Sequence, residues 1–289
     1  LCMKPLFFII SLFPKSLFIS LVDLYTYTKI YKLFSSYKIT KVNLEIAYPE
    51  LIKNDVELLS KLSIRESIIS GFETIYTWGR SVHQSNSQLF KIENNFLLSK
   101  TYTEGNGLIT VAIHNRSVDM LLKWINSKIV TISLYKKIKI KTLESFVKRN
   151  REDGESKSYE TSISGVRKIL QALNSRGAIC FAAEQVPQRG LGEYVKFFNR
   201  DAYTTTLVQS LAAKTKAPVL FAFINSNKDG FLFTSIKEPK YVYHSDSEHK
   251  LLLNKNIEEI INIRPIDYSW EYKRFKKSKP PGTDPYKSI

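Results

Sequence analysis

Residues 107–135 read GLITVAIHNRSVDMLLKWINSKIVTISLY. The opening run, Gly107 to Ile113, is short and continuously apolar, the pattern of a strand buried on both faces. Residues 117–126 fit a helix, and KIVTISLY (128–135) fits a second strand. The alternation continues downstream. Residues 162–175 predict an amphipathic helix ended by Gly177, and AICFAA (178–183) predicts a third buried strand. A helix over 204–215 leads to a fourth strand, PVLFAFI (218–224). FLFTSI (231–236) adds a fifth, and residues 250–263 a last helix. Continuous apolar strands separated by helices indicate an α/β fold, with a central, mostly parallel sheet flanked by helices.

Upstream, residues 54–80 predict a long helix. Asn54 can cap it with Glu57 three residues on, and Leu58, Leu62, Ile69, Phe72 and Tyr76 form the expected core stripe. Further upstream, residues 5–22 read PLFFIISLFPKSLFISLV. A spanning helix needs about 20 apolar residues, and Pro14 and Lys15 interrupt this stretch. We expect a retained helical anchor that lies in, or partly crosses, a membrane. A buried core helix and a cleaved signal sequence are the alternatives, although Asp23 and a Tyr-rich segment follow in place of a small-residue cleavage site. With no internal repeat or low-complexity linker, the simplest partition is a membrane-associated segment over 1–36 and one domain over 37–289.

The chain carries 43 Lys plus Arg against 27 Asp plus Glu, a formal charge of +16. Such a surface attracts nucleic acid, anionic lipid or an acidic protein, and charge alone does not choose among them. No nucleic-acid module is recognisable. The 2 cysteines, Cys2 and Cys180, sit in unrelated contexts and read as free thiols of a reducing compartment. No cluster has metal-ligand spacing, so neither a metal nor another cofactor is expected.

In open α/β sheets, sites gather beyond the carboxyl ends of strands. The strand ending at Ile113 is followed by His114-Asn115-Arg116-Ser117-Val118-Asp119. With His114 in the turn and Asp119 in the first helical turn, the carboxylate can reach one imidazole nitrogen, fix the tautomer and stabilise the protonated ring. The other nitrogen then removes a proton from a hydroxyl. The plainer alternative is a hydrogen-bonded neutral histidine at a strand end and an aspartate that complements a helix dipole.

His-x4-Asp after an apolar strand resembles the His-x4-Asp/Glu motif of the glycerolipid and lipid A acyltransferase superfamily. The run from Ala183 to Arg200, AEQVPQRGLGEYVKFFNR, is similar to the Pro-Asp-Gln block of the bacterial lipid A biosynthesis acyltransferases, with Ala202-Tyr203-Thr204-Thr205-Thr206 as its continuation. Tyr268-Ser269-Trp270-Glu271-Tyr272-Lys273-Arg274-Phe275-Lys276 resembles that family's ending, and Asn43-Leu44 with Ala47-Tyr48-Pro49-Glu50 its N-terminal block. The resemblance covers the chain from about residue 40 onward. Many members carry Glu where this chain has Asp119, and Gly-Asn-Trp where it has Arg116-Ser117-Val118. The Pro-Asp of the block is Ala183-Glu184 here.

The resemblance implies transfer of a fatty acyl chain from acyl carrier protein to a hydroxyl of a lipid A precursor, at the cytoplasmic face of the bacterial inner membrane and without an enzyme nucleophile. Arg149 and Arg151, after the helix that follows the second strand, where the family has an Arg-x-Arg-like pair, would hold a glucosamine phosphate or the thioester oxygen, or form a solvated basic face. Glu184, at the end of the third strand, would orient one of them, or is a satisfied loop carboxylate. Arg189 in Arg189-Gly190-Leu191-Gly192 offers a basic turn for phosphate, or an ordinary glycine turn. Lysines 136, 137, 139 and 141 and the tail Lys273-Arg274-Phe275-Lys276-Lys277 suit membrane lipids or an acidic carrier protein, or serve solubility. The aromatic residues interleaved in that tail (Tyr268, Trp270, Tyr272, Phe275) favour an interface, and buried packing of a terminal segment gives the same pattern. Rival readings are a lysophospholipid or ornithine-lipid acyltransferase with the same His-Asp chemistry, and a non-catalytic basic protein that binds membrane or nucleic acid.

Overall fold

A computed structural model describes residues 3–241, 249–277 and 284–289. Its N-terminal part is helical: α1 (Met3–Ser11), α2 (Lys15–Tyr27), α3 (Ser35–Ala47), α4 (Lys53–Gly79) and α5 (Val82–Asn86). Then follow β1 (Leu89–Glu93), α6 (Asn95–Thr103), β2 (Leu108–Ala112), α7 (Val118–Asn126), β3 (Thr131–Tyr135), α8 (Lys141–Arg151), β4 (Lys157–Glu160), α9 (Ile163–Asn174) and β5 (Ala178–Ala182). The remainder is β6 (Gly192–Phe197), β7 (Arg200–Thr205), α10 (Leu207–Thr215), β8 (Val219–Ser226), β9 (Leu232–Lys237) and α11 (His249–Ile263). Two compact units emerge. The first takes the chain through Phe13, Gly71–Ala182 and Ser210–Pro239; the second takes Pro14–Ser70, Ala183–Gln209 and the chain from Lys240 on.

The first unit holds a seven-stranded sheet in the order β1-β9-β8-β2-β5-β3-β4. β2 lies in its interior, buried at all five positions, and pairs in parallel with β5 (Leu108↔Ala178 to Ala112↔Ala182) and with β8 (Ile109↔Val219 to Ala112↔Ala222). β3 is parallel to both β5 and β4. β9 is antiparallel to β8 but parallel to β1, so this outer pair runs against the other strands. The sheet is therefore mostly parallel, with helices flanking it, as the apolar runs indicate. α7 buries Met120, Leu121, Leu122, Trp124 and Ile125 in a core shared with Leu108, Ala112, Cys180, Leu220 and Ala222. The Cys180 thiol is pushed up to about 12 by burial, which keeps it protonated; Cys2 lies outside the described residues.

Several expectations need correction. β1 (LFKIE) and β4 (KSYE) escaped the sequence reading because they close the two edges of the sheet, where polar residues replace a continuous apolar run. The second strand starts at Thr131 because α7 and its cap run to Ser127. The helix placed over 204–215 starts at Leu207, since the β-branched Thr204 and Thr205 belong to β7. On α4, Ile69 and Phe72 are buried as expected, but Leu58 faces outward and Ser60, Ser63, Glu66, Glu73 and Thr77 take buried positions. Its buried side is thus partly polar, and a purely apolar stripe misses it.

α1 packs in the first unit through Phe7, whose ring stacks on Phe146 of α8 (5.0 Å) and meets Trp78 of α4 edge-on (5.3 Å). Gly79 permits the approach, because a Cβ there would strike the Phe7 carbonyl. Leu6, Phe8, Ile9, Leu12 and Phe13 stay exposed. Among the described residues no single helix is long and apolar enough to cross a membrane; α1 and α2 reach that length and composition only as a pair broken between Ser11 and Lys15.

The second unit contains the β6–β7 hairpin, with α11 packed on it, and a tyrosine cluster of Tyr25, Tyr31 and Tyr37 around Ile64. The C-terminal segment is part of its core: Tyr268, Trp270 and Phe275 are buried, and buried Arg274 donates to the Tyr203 carbonyl (3.0 Å) and Thr204 Oγ1 (2.9 Å). The interleaved aromatics of the tail are therefore packing residues and do not form an exposed interface. Asn43 of α3 fastens this segment. Its Nδ2 donates to the carbonyls of Trp270 (2.5 Å) and Tyr272 (2.9 Å), and its Oδ1 accepts from the Tyr286 hydroxyl.

Candidate functional site

The turn between β2 and α7 is held at each residue. Ile113 continues the ladder by donating to the Ala222 carbonyl (3.2 Å). His114 follows, half-buried. The Asn115 amide nitrogen donates to Asn225 Oδ1 of β8 (2.9 Å), which ties the turn to the neighbouring strand. Arg116 is left-handed at φ 58°, a conformation that costs a non-glycine residue about 1 kcal/mol or more. Its side chain is 1 % exposed, and the guanidinium forms a two-point ion pair with Glu73 of α4 (Nε to Oε2 3.2 Å, with Nη2 on Oε1). Ser117 caps α7 by accepting from the Met120 amide (3.2 Å), and it accepts in turn from the Thr74 hydroxyl (2.8 Å). The backbone that carries His114 is thus fixed from β8 on one side and from α4 on the other.

Asp119 stands in the first turn of α7, where the helix dipole favours a carboxylate. Arg151 grips it with two nearly parallel bonds, Nε to Oδ1 at 2.6 Å and Nη2 to Oδ2 at 2.9 Å. This fork geometry is the strong form of the interaction. Burial by itself would raise the Asp119 pKa. The Arg151 charge and hydrogen bonds outweigh it, and the Trp78 indole N–H and the His114 imidazole add to them, so the carboxyl is held below its usual range. Trp78 acts as a nearby donor only, since its buried Nε1 lacks a partner in good hydrogen-bond geometry. The outcome is an ionised carboxylate within electrostatic reach of a half-buried imidazole. Such an arrangement can take a proton from a hydroxyl and hold the resulting imidazolium.

Lys123, one turn further along α7, is also buried. Its ammonium donates to the Thr77 (2.6 Å) and Arg80 (2.8 Å) carbonyls at the end of α4. Burial lowers it to about 8. The sequence reading missed Lys123, Trp78, Glu73 and Asn225, because nothing in local spacing links them to the His114 turn.

The remaining residues singled out from the sequence are spread out. Arg149 and Arg151 sit in the last turn of α8, not after it. Two positions apart, they are turned about 200° from each other around the helix axis: Arg151 faces Asp119, whereas exposed Arg149 bonds the Ser145 carbonyl of its own helix (3.1 Å). Glu184 and Arg189 fall in the second unit. There Glu184 is buried, and its charge is felt at Tyr268 and Arg274. Arg189 is exposed, and the neighbouring Gly190 and Gly192 amides donate to the Tyr203 hydroxyl (3.0 and 3.1 Å).

A family model described as bacterial lipid A biosynthesis acyltransferase matches residues 5–277. No curated protein matches. The match spans β2, the His114 turn and all of the sheet, as well as the hairpin and the buried C-terminal segment through Lys277. The chain belongs to the bacterial lipid A biosynthesis acyltransferase family and is an acyltransferase.

Proposed function

We propose that the protein moves a fatty acyl chain from the thioester of acyl carrier protein to a hydroxyl of a lipid A precursor, with His114 as general base. The acceptor hydroxyl gives its proton to the imidazole, and its oxygen attacks the thioester carbonyl. Collapse of the tetrahedral intermediate forms the ester and expels the carrier thiolate, which recovers the proton from the imidazolium. The observation that carries this reading is Asp119, held ionised beside His114 by the Arg151 fork. The ionised carboxylate stabilises the protonated ring at the moment it forms. Exposed Arg149 and the exposed lysines 136, 137, 139 and 141 suit the acceptor's phosphates or an acidic carrier. The exposed apolar side chains of α1, and separately Leu17, Leu21 and Leu24 of α2, support attachment to the membrane that holds the acceptor. We place the protein at the cytoplasmic face of the inner membrane.

The test is incubation with acyl carrier protein thioesters and a tetra-acylated lipid A precursor, read by mass spectrometry. The expected result is one added acyl mass, with His114→Ala slower by about a hundred- to ten-thousand-fold and unchanged in its melting. A His114→Ala protein as fast as the wild type would refute the assignment. Transfer to lysophospholipid or ornithine-lipid in place of the precursor would keep the chemistry and change the acceptor.

A further inference from the structure

Two phenylalanines are presented to solvent at the edge of the first unit's sheet, each by a specific backbone device. The register of β1 against β9 slips between Leu89 and Lys91, so Phe90 sits on a bulge, outside the regular ladder. Bulges re-aim side chains and gather beside functional sites. Phe231 follows the tight turn between β8 and β9. There Asn227 Oδ1 accepts from the Asp229 and Phe231 amides (2.9 Å each), and Gly230 supplies a left-handed φ of 81°. The two rings meet at 4.9 Å, with Phe233 joining Phe90 at 5.6 Å, yet Phe90 is 64 % and Phe231 50 % exposed.

Topology places this cluster on the lip that carries His114. β8 runs parallel to β2, with Ala222 level with Ala112 and Asn225 bonded to Asn115; its last residue, Ser226, pairs with Leu232. Phe231 therefore stands just beyond the carboxyl end of β8 and Phe90 level with its last two residues, on the β9 side of the His114 turn. α1, with its exposed Leu6, Phe8 and Ile9, is attached through Trp78 and Phe146, on the side of α8, which follows β3. Apolar surface thus flanks the candidate centre on both sides. Lys91 and Lys228 are exposed beside the rings with acidic neighbours, Lys91 paired with Glu93 (3.3 Å) and Lys228 next to Asp229; the attraction to anionic lipid comes from the whole chain, which carries +16.

We propose that Phe90 and Phe231 form a second membrane contact, which inserts into the interfacial layer of an anionic bilayer and holds the sheet lip against the surface from which a lipid acceptor enters. This rests on the reading of the protein as an acyltransferase with a membrane-embedded acceptor. Exposed phenylalanines bury at the headgroup–acyl boundary, and the net positive charge of the chain favours anionic lipid.

The test uses the full chain and vesicles of phosphatidylcholine with and without phosphatidylglycerol. Phe90→Trp and Phe231→Trp are each expected to shift emission to the blue on the anionic vesicles and to be quenched by brominated lipid. Phe90→Ser/Phe231→Ser is expected to bind these vesicles about tenfold more weakly, and to lose transfer to vesicle-embedded acceptor while keeping transfer to detergent-dispersed acceptor. Unshifted, unquenched tryptophans, or vesicle binding equal to wild type, overturn the proposal. So does sedimentation showing that the serine pair only abolishes self-association, which would assign the cluster to a second copy of the chain. Wild-type protein that transfers to neither form of acceptor refutes the functional reading instead, and the tryptophan signals still decide the membrane contact.

Discussion

At Asp119, burial and charge oppose each other, and charge prevails. Burial disfavours the carboxylate, but the Arg151 fork holds it ionised. The folded pKa therefore lies below the unfolded value of about 3.9, so the pair stabilises the fold fully above that value and loses its contribution as pH falls through the folded one. Arg151→Gln removes the charge that wins, and the Asp119 pKa then rises. Two outcomes are expected: a stability loss of about 3 kcal/mol near neutral pH that shrinks in acid, and an acid limb of the pH–rate profile displaced to higher pH. Melts and rates across pH check both, and a profile that falls uniformly without moving would show that Arg151 does not act through Asp119. The sequence reading paired His114 with Asp119 and reached Arg151 separately. It did not connect Arg151 to Asp119, because an ion pair across 32 positions leaves no trace in local spacing. Arg116 is harder still. A left-handed residue in a turn normally announces itself as glycine, and here a buried pair with Glu73 holds an arginine in that conformation.

The element that most constrains the His114 turn is α4, joined to α7 by Glu73–Arg116, Thr74–Ser117 and Lys123. Lys123 uses a buried ammonium to bind the last carbonyls of α4, groups that otherwise lack partners at a helix end. Its folded pKa, lowered to about 8, lies below the unfolded value of about 10.4. Between these values the unfolded chain binds the extra proton, so stability gains as pH rises through that window, while the burial penalty is fully present below it. Lys123→Met is expected to remove that rise, which is on the order of 3 kcal/mol at full extent, relative to the wild type in urea melts at pH 7 and 10. Parallel curves for the two proteins would refute the assignment. Among elements, legibility followed burial. The continuous apolar strands β2, β5 and β8 were plain, because each is covered on both faces. The edge strands and the β6–β7 hairpin were not, because mixed polarity and threonine-rich sequence fit a strand, a loop or a helix start equally well.

On the scale of the whole molecule, segments far apart in sequence became meaningful in pairs. Asn43-Leu44 and Tyr268 to Lys276 were singled out separately, and in the second unit they are fastened together: one asparagine side chain holds two backbone carbonyls and the Tyr286 hydroxyl. The aromatic pattern of that tail favoured an interface and fitted buried packing equally, since periodicity does not distinguish a membrane interface from a buried strap. The hydrogen bonds do distinguish them. A strap fixed through 227 positions closes the chain on itself, and its loss should be felt well beyond one residue. Asn43→Leu keeps the approximate volume but leaves buried polar groups without those bonds, at about 1–3 kcal/mol for each group and not additively. The expected outcome is a urea midpoint lowered by the equivalent of about 3 kcal/mol with an unchanged slope. Limited proteolysis should then cut first in the segment after Tyr268. A variant with the wild-type midpoint, and cleaved no earlier there, would mean that the aromatic packing of Trp270 and Phe275 alone keeps the C-terminal segment in place.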